Sequence, residues 1–113
     1  FQATLPPLVK AYQEINKALT RLGKKPLETH TPAERAGSLT ELVPEINQPA
    51  FALVHEYEKE TFGRQHANLV IAIRSAGDIR RLSNLTSLKG MIQRFPITAK
   101  ILRNAKHDVE SQA

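Results

Sequence analysis

The chain has 113 residues, 41% of them hydrophobic and 24% charged, enough for one domain that buries roughly two-thirds of its unfolded surface and folds without staples. It contains no Cys, which excludes a disulfide framework, thiolate catalysis and any zinc site built on sulfur. The net charge of +5 is unevenly placed: residues 1–63 carry seven Lys/Arg against eight Asp/Glu, whereas residues 64–107 carry nine against Asp78 alone.

Pro6 and Pro7 open a first helix, where a missing N–H costs little. Leu8, Tyr12, Ile15, Leu19 and Leu22 recur every three or four residues and form one apolar stripe, with Lys10, Glu14, Lys17 and Arg21 outside it. Gly23 suits the left-handed position after a helix end, and Pro26 forbids continuation. In the loop that follows, Leu27 is the expected anchor onto the core.

Thr31 predicts an N-cap, with Pro32 at N1 and Glu34 at N3 closing a capping box. The second helix runs from Pro32 to about Val43, burying Ala36, Leu39 and either Leu42 or Val43, and Pro44 stops it. Asn47 or Gln48 caps a third helix on which Ala50, Leu53, Val54, Tyr57 and Thr61 share a face, ending at Phe62-Gly63. Glu56 and Glu60 lie one turn apart, a spacing that suits a general acid/base pair or an oxygen-ligated metal. A solvated face with Lys59 beside them is the plainer reading, and it is the one adopted.

A fourth helix is expected over about Ala67 to Leu82, with Leu69, Val70, Ile73, Ala76, Ile79 and Leu82 inward and Arg74, Arg80 and Arg81 outside. Gly77 within it suggests a close helix crossing. A fifth segment, Leu85 to Phe95, repeats the pattern through Leu85, Leu88, Ile92 and Phe95 before Pro96, and Ile97 to Lys106 has the makings of one more short helix. No run alternates as a strand does. The fold class is therefore all-α, a compact single-domain bundle of four to six short helices.

The chemistry of a catalytic site is missing. No Gly-x-Ser-x-Gly elbow supplies a nucleophile, and His30, His55, His66 and His107 lack metal-ligand spacing. The five glycines stand singly, so neither a dinucleotide fingerprint nor a phosphate loop can be written. Asn84-Leu85-Thr86 matches a glycosylation sequon that matters only in a secreted eukaryotic protein. The expectation is a non-enzyme with no cofactor and no metal. The basic half asks for an anionic partner, and Arg74, Arg80, Arg81, Lys89 and Arg94 are its candidate surface. Lipid headgroups, an acidic protein and nucleic acid all fit that charge, although 5% aromatic residues leave little for bases to stack on. A start at Phe1 reads as a piece of a longer protein.

Val9-Lys10-Ala11-Tyr12 through Leu19, Leu22-Gly23, Thr31-Pro32-Ala33-Glu34, Glu56-Tyr57-Glu58 and Phe62-Gly63 together resemble a bacterial family: the C-terminal cytoplasmic domain, of unknown function, of membrane-anchored transglutaminase-like proteins. The resemblance spans about residues 9–82, with 83–113 an added helical segment and polar tail. Gly23, Thr31, Pro32, Glu34, Tyr57 and Gly63 are its motif residues. Where family members often carry Tyr or Phe after the Thr-Pro-x-Glu motif, this chain has Arg35. The resemblance implies a domain on the cytoplasmic face of the bacterial inner membrane, joined to a membrane-embedded remainder of its own chain. It carries over no catalytic residue, because the Cys, His and Asp chemistry of such proteins lies in another domain.

Overall fold

The computed structural model describes residues 5–94. They form α1 (Pro7–Arg21), α2 (Pro32–Leu42), a 3-10 turn (Pro44–Ile46), α3 (Asn47–Thr61) and α4 (Leu69–Arg94), with no strand among the described residues. Among the described residues there are four α-helices. The expected fourth and fifth segments are one helix of 26 residues, since Ser83 and Asn84 continue the helix instead of breaking it. The expected helix over Ile97 to Lys106 lies outside the described residues.

The apolar stripe of α1 folds as its spacing predicts: Leu8, Tyr12, Ile15 and Leu19 are buried, and Leu22 packs at the margin. The helix ends by geometry that requires glycine. Gly23 sits at φ +85°, its N–H donates to the Thr20 carbonyl (3.0 Å), and the Lys24 N–H donates to the Leu19 carbonyl (2.8 Å). This is a Schellman motif, which satisfies two of the carbonyls a helix end leaves open.

The loop after it is held differently from expectation. Leu27 is 51% exposed and anchors nothing with its side chain. Its carbonyl is the anchor instead, accepting from Arg35 Nη2 (2.9 Å), while Arg35 Nη1 donates to Asn16 Oδ1 (3.0 Å). One guanidinium from α2 thus ties both the loop and α1, using the fork geometry that suits Arg for two acceptors.

The capping box at α2 is complete, with Glu34 N–H donating to Thr31 Oγ1 (3.2 Å) and Thr31 N–H to Glu34 Oε1 (3.1 Å). Ala36, Leu39 and Val43 are buried, and Leu42 is exposed. Neither Asn47 nor Gln48 caps α3. The 3-10 turn feeds straight into the helix, and Ile46, fully buried, stands at the N-cap without a side-chain bond. Ala50, Leu53 and Val54 turn to the core and Tyr57 packs against it, stacking on Tyr12 with ring centroids 4.2 Å apart, whereas Thr61 is exposed.

At the end of α3 the left-handed residue is Arg64 (φ 54°), not Gly63. Gly63 is needed for a close approach, because a Cβ there would stand 3.0 Å from the Lys59 carbonyl oxygen.

The largest correction concerns α4. Leu69, Val70 and Ile73 are exposed, and the inward row is Ala72, Ala76, Ile79 and Ser83, with Ser75 beside it. The helices facing it explain this. α1 and α3, on which α4 lies, already fill the core with Leu8, Ile15, Leu19, Leu53 and Val54, so what fits between them is Ile79 with the small side chains of Ala72, Ala76 and Ser83 at helical spacing around it. Gly77 marks no close crossing: a Cβ there would meet only the tip of Arg80, at 4.0 Å. Among the described residues, no helix is long and apolar enough to cross a membrane.

Candidate interaction surface

α4 is positioned by three polar ties that its sequence alone does not announce. At its start Asn68 is the N-cap, its Oδ1 accepting the Ile71 N–H (3.2 Å). The Asn68 N–H in turn donates to Glu56 Oε1 on α3 (2.7 Å), and Lys59 Nζ lies 3.0 Å from the same oxygen. Glu56 is therefore buried instead of lying on a solvated face, and Glu60 stays exposed. The Asn68 N–H, followed by Lys59, holds the Glu56 carboxyl below its ordinary value, as hydrogen bonds to a carboxylate do. Both contacts fall on Oε1, through which Glu56 braces the α3–α4 junction.

Midway along, Glu14 is only 8% exposed, contrary to its expected place outside the α1 stripe. α4 covers it, and Arg80 Nη1 stands 3.5 Å from its Oε1. A groove of about 440 Å³ runs along this seam, lined by Lys10, Glu14, Lys17, Ile73 and Arg80 among others. One turn further, Arg21 donates to Ser83 Oγ, and that hydroxyl donates to the Arg80 carbonyl (3.1 Å), so the fully buried serine is satisfied on both sides.

The candidate cations distribute around this helix as follows. Arg74 and Arg81, seven residues apart, fall within about 20° of each other at 3.6 residues per turn, and both are exposed. Arg81 also pairs with Asp78 at 3.3 Å on the surface. Arg80 lies about 100° to the α1 side, engaged with Glu14, and Lys89 about 80° to the other side, exposed. Arg94 closes the helix, and its side chain is outside the described residues. The structure thus brings Arg74 and Arg81 onto one outward line and makes Arg80 and Lys89 its flanks.

Sequence reasoning missed what shares that line. Val70, Leu85 and Leu88 are exposed on the outer side of α4, Ile73 is exposed on its α1 flank, and Gly77 opens a shallow groove of about 460 Å³ bordered by Arg81, Asn84, Leu85 and Leu88. The signal was present as apolar residues on every side of α4, more than one buried stripe needs.

The motif residues behind the family resemblance are each accounted for by the fold itself. Gly23 turns the chain, Thr31, Pro32 and Glu34 start α2, Tyr57 stacks on Tyr12, and Gly63 admits a carbonyl. None of them lines the outer face of α4. His30, His55 and His66 do not gather, and among the described residues no three His, Asp or Glu side chains form a group able to hold a metal. Comparison of the chain with protein-family models, with curated proteins and with solved structures finds no match.

Proposed function

We propose that this chain is a non-catalytic interaction domain, carried on the cytoplasmic side by a membrane-embedded transglutaminase-like protein, and that the outer face of α4 is its contact element for an anionic partner. The observation that carries this reading is the outward line of Arg74 and Arg81, flanked by Lys89, on a helix whose single acidic residue is Asp78. Cations held in a row on a rigid helix attract and orient an anionic surface more than scattered ones do. The motif resemblance supports the location, since cytoplasmic segments beside membrane spans are biased toward Lys and Arg.

Backbone amide shift mapping tests the reading. Anionic vesicles, a short DNA duplex and an acidic peptide are each titrated into the labelled chain at near-physiological salt. Perturbations concentrated between residues 70 and 89 with at least one probe are expected, and their loss in the Arg74→Glu/Arg81→Glu double variant. No perturbation of α4 with any probe overturns it.

A further inference from the structure

We infer that the outer face of α4 is a docking seam for a single acidic amphipathic helix, an inference that rests on the reading of α4 as the contact element and names the partner's chemistry. Val70, Arg74, Gly77, Arg81, Asn84 and Leu88 recur at intervals of four, three, four, three and four, the spacing of a helix-to-helix seam. Val70, 66% exposed, stands at one end of the seam, and Leu85 and Leu88 stand at the other. The distance from Val70 to Leu88 along the axis is about 27 Å at 1.5 Å per residue.

The order of residues along the seam selects the occupant. Its two ends are apolar and its centre is cationic, with Gly77 leaving open space for a partner's side chain beside Arg81. A helix with apolar residues at both ends and carboxylates between would bury the former and pair the latter, which is helix-in-groove recognition with charge selection. A lipid surface fits worse, because an interfacial helix carries its cations at the edges of its apolar face, not in the middle. A duplex fits worse still, since phosphates offer nothing to the exposed aliphatic side chains of Val70, Leu85 and Leu88. A second copy of α4 would set Arg74 and Arg81 against their own kind, and residues 95–113 of this chain are net basic, with Lys100, Arg103 and Lys106 against Asp108 and Glu110.

Calorimetric titration of the full chain with a synthetic helix of about 25 residues tests this, the peptide carrying Leu at each end and Glu on the two central seam turns. One-to-one binding is expected, weakened at least about tenfold by Arg81→Glu and by Gly77→Trp, with Leu88→Glu as a further variant. Arg81 and Leu88 are exposed and Gly77 is half-buried, and circular dichroism checks that the helices persist. A peptide with Lys in place of Glu should restore binding to the Arg81→Glu variant. Binding no tighter than that of a scrambled peptide overturns the inference, as does indifference to Arg81→Glu. If vesicles or duplex perturb α4 while the peptide does not, the helix-docking inference falls and the proposed function stands; if no probe reaches α4, both fall.

Discussion

The carboxylate of Glu56 accepts the backbone N–H of Asn68 at 2.7 Å, joining the middle of α3 to the first residue of the α4 cap. Asn68 caps α4 in its turn through the Ile71 N–H, so a buried side chain of α3 holds the residue at which α4 begins. This bond ties the start of α4 to α3, and packing of the rest of the helix on α1 and α3 sets where Arg74 and Arg81 stand.

Glu56→Ala leaves the Asn68 N–H and the Lys59 ammonium without their acceptor. A hydrogen bond to a charged group contributes about 1.5–3 kcal/mol, and a loss of that order is expected in urea unfolding. Glu56→Gln, which keeps an acceptor oxygen, should cost less. Equal costs would mean that the charge and not the bond matters.

The acid limb of the stability curve should bear the mark of the same group. Glu56 and Glu34 both titrate below their ordinary 4.5 in the folded chain, Glu56 chiefly through the Asn68 N–H and Glu34 chiefly through the Thr31 N–H. Their contribution is complete above pH 4.5 and is lost as pH falls through the lowered folded values. Tyr12 moves the other way: burial raises it above 10.0, against the pull of Arg35, so its contribution is complete below pH 10 and declines above it. Melting temperature against pH should therefore fall at both ends, and Glu56→Gln should shallow the acid limb alone.

Ala76 and Ile79 face inward as their spacing predicts while Leu69, Val70 and Ile73 do not, and mutations should divide the same way. Ile79→Ala, at a fully buried position, should cost about 2–5 kcal/mol, whereas Ile73→Ser, on the outside, should stay within about 0.5 kcal/mol. Ala76→Leu should destabilise by about 1–3 kcal/mol through overpacking against α1. Chemical denaturation of the three variants reads the orientation of α4 directly.

Three glycines should answer Ala substitution with different signs. At Gly77, where a Cβ enters open space in a helix interior, Ala should stabilise by up to about 1 kcal/mol. At Gly23, held at φ +85°, Ala should cost about 1–2 kcal/mol. At Gly63, the Lys59 carbonyl must move to admit it, so thermal melting should show a loss.

The capping box gives the simplest test. Thr31→Ala should cost about 1 kcal/mol and Thr31→Ser almost nothing, since Ser supplies the same oxygen to the Glu34 N–H. An unchanged melting temperature for Thr31→Ala would contradict the role assigned to this hydroxyl.

What the sequence determined by itself was local. The α1 stripe, the left-handed Gly23, the capping box at Thr31 and the stop at Pro44 depend on bonds and sterics within a few residues, and each stands where the spacing put it. What only tertiary structure decided was how surfaces were shared between helices. Hydrophobicity says that an apolar residue can be buried, not that it will be, and α4 carries more apolar residues than one face can hold. Which of them faced inward depended on the volume already filled by α1 and α3, which admitted Ala72, Ala76 and Ser83 and left Val70 and Ile73 outside. In the same way Glu14 and Glu56, polar by sequence, were buried once α4 and its cap arrived to cover and partner them. The candidate surface on α4 was half legible for this reason: its charges could be counted along the chain, but the apolar residues beside them became a surface only when the core had no room for them.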